Sequence, residues 1–233
     1  MTLYFRTLLG APIAATGGNE IGHLDDLLAD ARYAQPPRVM RIAARLDGRG
    51  PRWLDRAAVR SFDATRIEIE PGAIWQLPGR THQLRLRAQL LDHQVIDLVG
   101  GVVTRVNDVV LARTPAGLAV TGVDVGLTGL VRALAPRRSR RLLGRVHPRS
   151  AWQRELTWAD IDPVESAIDH YQLVDAHAGI QYLSSKAIAR VLRSLRPSDR
   201  LAILNTLDGE SVAAVLEASD PRFRRRLIAQ LRH

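Results

Sequence analysis

The 233-residue chain carries 33 lysines and arginines against 24 acids, a formal charge of +9, with 46% hydrophobic residues and no cysteine. That balance suits a globular chain, and the missing thiols exclude disulfides, thiolate metal sites and cysteine nucleophiles. No apolar run approaches the roughly 20 residues that a membrane-spanning helix needs.

The N-terminal "MTLYFRTLLGAPIAATGG" has no basic stretch ahead of its apolar part. It is therefore expected to be a first strand, not a signal peptide. Residues 9–29, "LGAPIAATGGNEIGHLDDLLA", align without gaps on 91–111, "LDHQVIDLVGGVVTRVNDVVL", at an offset of 82. In each copy an apolar pair (Ile13 with Ala14, Val95 with Ile96) leads into a glycine turn and a second apolar segment ending in Asp26 or Asp108. Each copy reads as strand, turn, strand, with Gly18 and Gly100 as structural turn residues. His23, Asp25 and Asp26 could be taken for a metal loop. However, His23 becomes Arg105 and Asp25 becomes Asn107 in the second copy, and only the aspartate is retained. A structural role for Asp26 and Asp108, accepting backbone N–H groups at a strand end, survives that comparison.

Further period-two patterns follow at 39–46, "VMRIAARL", at 65–70, "TRIEIE", and at 117–126, "GLAVTGVDVG". Each implies a strand with one face buried. "EPGAIWQLPGR", 70–80, has two Pro-Gly pairs and reads as a connection. With "LLDHQVIDLVGGVVTRVNDVVL" as the clearest stretch, the paired units resemble PRC-barrel domains, and "VDVGLTGLVRAL", 123–134, continues the likeness. The second unit departs from the pattern in having Gly100 and Gly101 where an acid often precedes the glycine. The resemblance implies an adaptor fold, not an enzyme.

Arginines bunch in "RALAPRRSRRLLGRVHPRS", 132–150, and in "RFRRRLIAQLRH" at the C-terminus. Arg137, Arg138, Arg140 and Arg141 are the expected partner-binding residues, against an acidic protein face or anionic lipid. Aromatic residues make up only 5%, too few to alternate with the basic ones as a base-stacking platform requires, so nucleic acid is not the expected partner.

The grammar then becomes helical. "DPVE", 162–165, reads as a helix start with Asp162 as cap, Pro163 at the first position and Glu165 completing a capping box. Val164, Ile168 and Tyr171 continue one face. "LSSKAIARVLRS", "LRPSDRLAILNT" and "LDGESVAAVLEA" begin at 183, 195 and 207, a 12-residue period. Helices this short must stack to bury their apolar stripes.

"LRPSDRLAILNTL" resembles a unit of the intracellular N-terminal domain of the MgtE magnesium transporter family, a superhelix of short helices that senses magnesium through acidic surfaces. "LSSKAIARVLRSL" keeps the leucines but has Ser185 where proline is expected and Ala187 in place of the acid. If the likeness extends to ions, Asp199, Asp208, Glu210 and Asp220 are the metal candidates for a regulatory magnesium site. Each is equally explained as a helix cap or a first-turn charge, and the nearby arginines would repel a cation.

The 7 histidines are scattered, with no HExxH pair, no triad and no phosphate loop, so an enzyme is not expected. The fold class read from the chain is multidomain β + α. Two small antiparallel PRC-barrel-like units occupy 1–78 and 79–135, an arginine-rich linker 136–156 and an MgtE-like helical superhelix 157–233. The two β units are expected to join in one module with an approximate two-fold relation. Two functions fit: a cytoplasmic adaptor, peripheral to the inner membrane face, that couples magnesium status to a membrane transporter; or an ion-independent protein-interaction scaffold, able to dimerise through sheet edges.

Overall fold

The computed structural model describes residues 2–30, 36–46, 50–63, 65–79, 83–115, 117–126, 154–163 and 179–231. The four linker arginines, Arg137, Arg138, Arg140 and Arg141, lie outside them, as do the helical positions expected at 164, 168 and 171. The chain is mixed β and α. Its contacts define two units, Met1–Asp92 with Val106–Trp158, and His93–Arg105 with Ala159–His233. This division cuts across the boundaries read from the sequence, because the turn-bearing hairpin of the second copy packs among the helices.

The first unit is a curled eleven-stranded sheet in the order β1-β11-β12-β4-β3-β2-β7-β6, with β13, β5 and β8 paired beside this path. Its strands are β1 (Thr2–Tyr4), β2 (Pro12–Ala15), β3 (Glu20–Asp30), β4 (Arg38–Leu46), β5 (Gly50–Asp55), β6 (Val59–Phe62), β7 (Ile67–Ile69), β8 (Leu84–Arg85), β11 (Asp108–Thr114), β12 (Gly117–Asp124) and β13 (Glu155–Thr157). The N-terminal segment expected as one strand is extended twice, at β1 and at β2, and is interrupted between them. A single helical turn, α1 (Phe5–Leu8), follows β1, and its second-copy counterpart is a π-helical turn at Leu86–Leu90.

The repeat is real in three dimensions, and its two copies are interlocked. β1, which leads into the first copy, pairs with β11 of the second, Tyr4 opposite Val110. β8, which leads into the second copy, pairs with β3 of the first, Arg85 opposite Leu28. Gly10 and Asp92, 82 residues apart, hold the same left-handed conformation at φ 73° and 66°. Their N–H groups donate to the equivalent carbonyls of Leu24 and Val106, both at 2.9 Å. The described first unit is thus one sheet holding strands of both copies, joined by equivalent pairings, and not two separate barrels.

Strict period-two alternation fails in β4. The register against β3 skips Met40 and Asp25, so Val39 and Ile42 are both buried while Met40 faces solvent. Such bulges add twist and curl the sheet. Phe5, Leu8, Ile13, Leu27, Ile42 and Leu54 are fully buried, each contributing about 1.5–3 kcal/mol by leaving water.

The second unit pairs the hairpin of β9 (Gln94–Asp97) and β10 (Val102–Arg105) with β14 (Ile161–Pro163), beside four helices: α2 (Ser185–Ser194), α3 (Pro197–Thr206), α4 (Gly209–Ala218) and α5 (Pro221–Leu231). The helix start expected at Asp162 and Pro163 is instead strand. Asp162 lies opposite Ile96, and Pro163, with no N–H to donate, sits at the end of an outer strand where that lack is tolerated. The 12-residue period does hold, and it runs through a fourth helix that the sequence reading left out of the repeat. Val191, Ile203, Val215 and Leu227, one per helix, are all wholly buried. They share a core with Ile96, Ile180 and Phe223.

Candidate functional site

The two aspartates retained between the copies, Asp26 and Asp108, both lie in the first unit. Asp26 lies inside β3 and not at its end, and its Oδ1 accepts the N–H groups of Leu27 at 2.8 Å and Arg87 at 2.7 Å. Asp108 begins β11, and its Oδ1 accepts those of Val109 at 2.9 Å and Arg6 at 3.0 Å. Both carboxylates are fully buried. Each caps the short helical turn of the other copy, a reciprocity that the local reading missed. Burial pushes the Asp26 carboxyl from 3.8 up to about 6, against the opposing pull of the Arg87 N–H and the Arg85 guanidinium. Its Oδ2 has no hydrogen bond, with Arg85 Nε at 3.4 Å.

Positive φ falls on Gly17 (70°) and Gly101 (58°), neighbours of the expected Gly18 and Gly100. A Cβ on Gly101 would stand 2.8 Å from the Cβ of Ala187, so this turn seats directly against α2. Gly100 contributes its N–H, donated to Asp97 Oδ1 at 2.8 Å.

The four metal candidates lie in the helical array at separate duties. Asp208 caps α4, accepting the Ser211 N–H at 2.7 Å, and that bond holds its carboxyl below the ordinary range. Asp220 accepts the N–H groups of Phe223 at 3.0 Å and Arg222 at 3.1 Å through Oδ1, while Oδ2 pairs with Arg193. The Phe223 N–H is the main cause of its lowered pKa. Asp199 is buried in the first turn of α3, and Glu210 is exposed in the first turn of α4. Among the described residues no three His, Asp or Glu side chains come together as a metal group.

What the array does bring together is arginine. The buried ring of Phe223 on α5 has three guanidiniums around it: Arg200 from α3 at 5.3 Å from the ring centroid, Arg193 from α2 at 5.7 Å and Arg226 from α5 at 5.8 Å. Arg200 is held in place by donating its Nε–H to the Leu192 carbonyl at 2.7 Å. Burial, and then the charge of Arg226, lowers its pKa. The sequence flagged the basic run on α5, but Arg193 and Arg200 belong to other helices and only packing gathers them.

The stretch that could be taken for a metal loop, at His23 and Asp25, is a surface ion-pair network. His23 Nε2 lies 2.9 Å from Glu20, and Asp25 pairs with Arg87 and, at 3.5 Å, with Arg45. An open cleft of about 430 Å³ lined by Leu54, Asp55, Glu70 and Ile74 has both carboxylates engaged, Asp55 by Arg41 at 2.9 Å and Glu70 by Arg60 at 2.6 Å. No helix among the described residues is long and apolar enough to cross a membrane. No family model matches the chain, and no curated protein matches it in sequence.

Proposed function

We propose that the chain is a protein-interaction adaptor that works without a bound cation: a PRC-barrel-like β module carrying a helical array of the kind found at the N-terminus of MgtE transporters. One observation supports this reading over the magnesium-sensing one. Asp208 and Asp220 are used as helix caps, and Asp220 is also paired with Arg193, where a magnesium site would need carboxylates converging on a shared centre. The interlocked pairing of β1 with β11 and β8 with β3 supports the PRC-like part, because it gives a rigid base that needs both copies. A cytoplasmic chain docked on a membrane transporter remains within the same reading, with the partner supplying any ion dependence.

The test is an isothermal titration of the full-length protein with magnesium chloride, against sodium chloride at matched ionic strength, with Asp208→Ala in parallel. The adaptor reading expects no saturable heat. Saturable heat that Asp208→Ala abolishes overturns it in favour of a magnesium sensor sited in the helices.

A further inference from the structure

The geometry points to the arginine collar of Arg193, Arg200 and Arg226 around Phe223 as the docking point for an acidic segment of a partner protein. This inference rests on the adaptor reading and names the chemistry of its partner. Three like charges gathered on one ring repel each other, and the described residues offer them little compensation. One carboxylate, Asp220, serves two of them, paired with Arg193 and attracted by Arg226 at longer range, while Arg200 is tied to a backbone carbonyl. The ring face attracts each cation but leaves the remaining N–H donors at the guanidinium edges to donate to carboxylate oxygens, the pairing that arginine favours.

The collar is also preorganised. Its three members are anchored by a carboxylate, a carbonyl and a ring, so little side-chain entropy remains to be lost when an anion arrives. Basic side chains outnumber acids across α2 to α5, with Arg190, Arg222 and Arg225 exposed on the helices that carry the collar. The positive charge therefore extends beyond one anion's reach and suits a run of acids. A stacked nucleobase is disfavoured because the only ring in the collar, Phe223, is 1% exposed. Insertion into lipid needs a cluster of exposed apolar side chains, and among the described large hydrophobics of α2 to α5 Leu231 alone is exposed.

The experiment measures fluorescence anisotropy of a labelled oligoglutamate peptide against full-length protein at physiological salt. The comparison set is Arg226→Glu, Arg226→Gln and Arg225→Glu, with circular dichroism confirming helix content. Expected is saturable binding weakened about tenfold or more by Arg226→Glu, less by Arg226→Gln, and within about twofold of wild type for Arg225→Glu, a tenfold loss corresponding to about 1.4 kcal/mol. Equal losses at Arg225 and Arg226 would overturn the site in favour of diffuse attraction. Absent peptide binding with Arg226-dependent binding to phosphatidylserine vesicles would overturn it in favour of a membrane surface, and no binding to either would remove it. None of these results touches the adaptor reading, which the magnesium titration tests separately.

Discussion

Asp26 and Asp108 make the same contact from opposite directions. Asp26 of the first copy holds the N–H of Arg87 in the second, and Asp108 of the second holds the N–H of Arg6 in the first. Two buried carboxylates thus bolt the copies together at equivalent points. Removing Asp26 by substitution with alanine leaves two backbone N–H groups without their acceptor, and the expected loss is roughly 2–4 kcal/mol in urea denaturation.

Asp26→Asn separates the charge from the hydrogen bonds, because an amide oxygen still accepts both N–H groups. The folded pKa of Asp26 is raised, from 3.8 to about 6, so the neutral carboxyl is the form the fold prefers. Its favourable contribution is complete below about pH 4 and is lost as pH rises through 6, a change of about 3 kcal/mol. Stability of wild type minus Asp26→Asn, measured by denaturant melts from pH 4 to 8, should fall across that window. A flat difference would mean that Asp26 is ionised throughout.

Close backbone approach makes two glycines irreplaceable. A Cβ on Gly22 would lie 2.4 Å from the Arg45 carbonyl oxygen, and one on Gly122 would lie 2.1 Å from that of Leu156. Both obstacles are main chain and cannot rotate aside. Gly122→Ala is expected to break the pairing of β12 with β13, exposing the amides of 155–157 to hydrogen exchange while β3 and β4 keep their protection. Gly22→Ala should do the converse, loosening β3 against β4.

The repeat and the helical period were legible because both leave apolar residues at fixed spacing, and Asp26 stood out because its neighbours changed while it did not. What escaped the sequence depended on contacts between distant segments. The crossing of Asp26 to Arg87 and Asp108 to Arg6 joins residues of opposite copies. The collar draws Arg193, Arg200 and Arg226 from three helices. Pro163 looked like a helix start because proline suits both that position and the end of an outer strand, and pairing with β9 decided between them. The fourth helix was hidden by Ser219, which stands where the earlier units have Leu195 and Leu207. Its hydroxyl donates to the Val215 carbonyl at 2.8 Å, so a polar residue fills an otherwise apolar phase.

That fourth helix should be integral to the array and not an appendage. Leu227→Ala removes a wholly buried side chain from the shared core and is expected to cost about 2–5 kcal/mol. Arg225→Ala, exposed on the same helix, should stay within about 0.5 kcal/mol of wild type. Guanidinium melts followed by circular dichroism would decide it, and equal stabilities for the two variants would detach α5 from the core.

The helix caps predict a pH response of opposite sign to that of Asp26. The carboxyls of Asp208 and Asp220 are held below 3.8 chiefly by the backbone N–H groups of Ser211 and Phe223. A depressed folded pKa means that the stabilisation is complete above the unfolded value and is lost as pH falls through the folded one. Helical content should therefore hold down to about pH 4 and decline below it, in the range where Asp26 is already neutral and contributes no further change. Asp208→Asn, which keeps an acceptor at the cap without a titrating charge, should flatten part of that decline in circular dichroism recorded from pH 5 to 2. If wild type and Asp208→Asn lose helix in parallel, the acid transition belongs to other carboxylates and the cap at Asp208 carries no pH dependence.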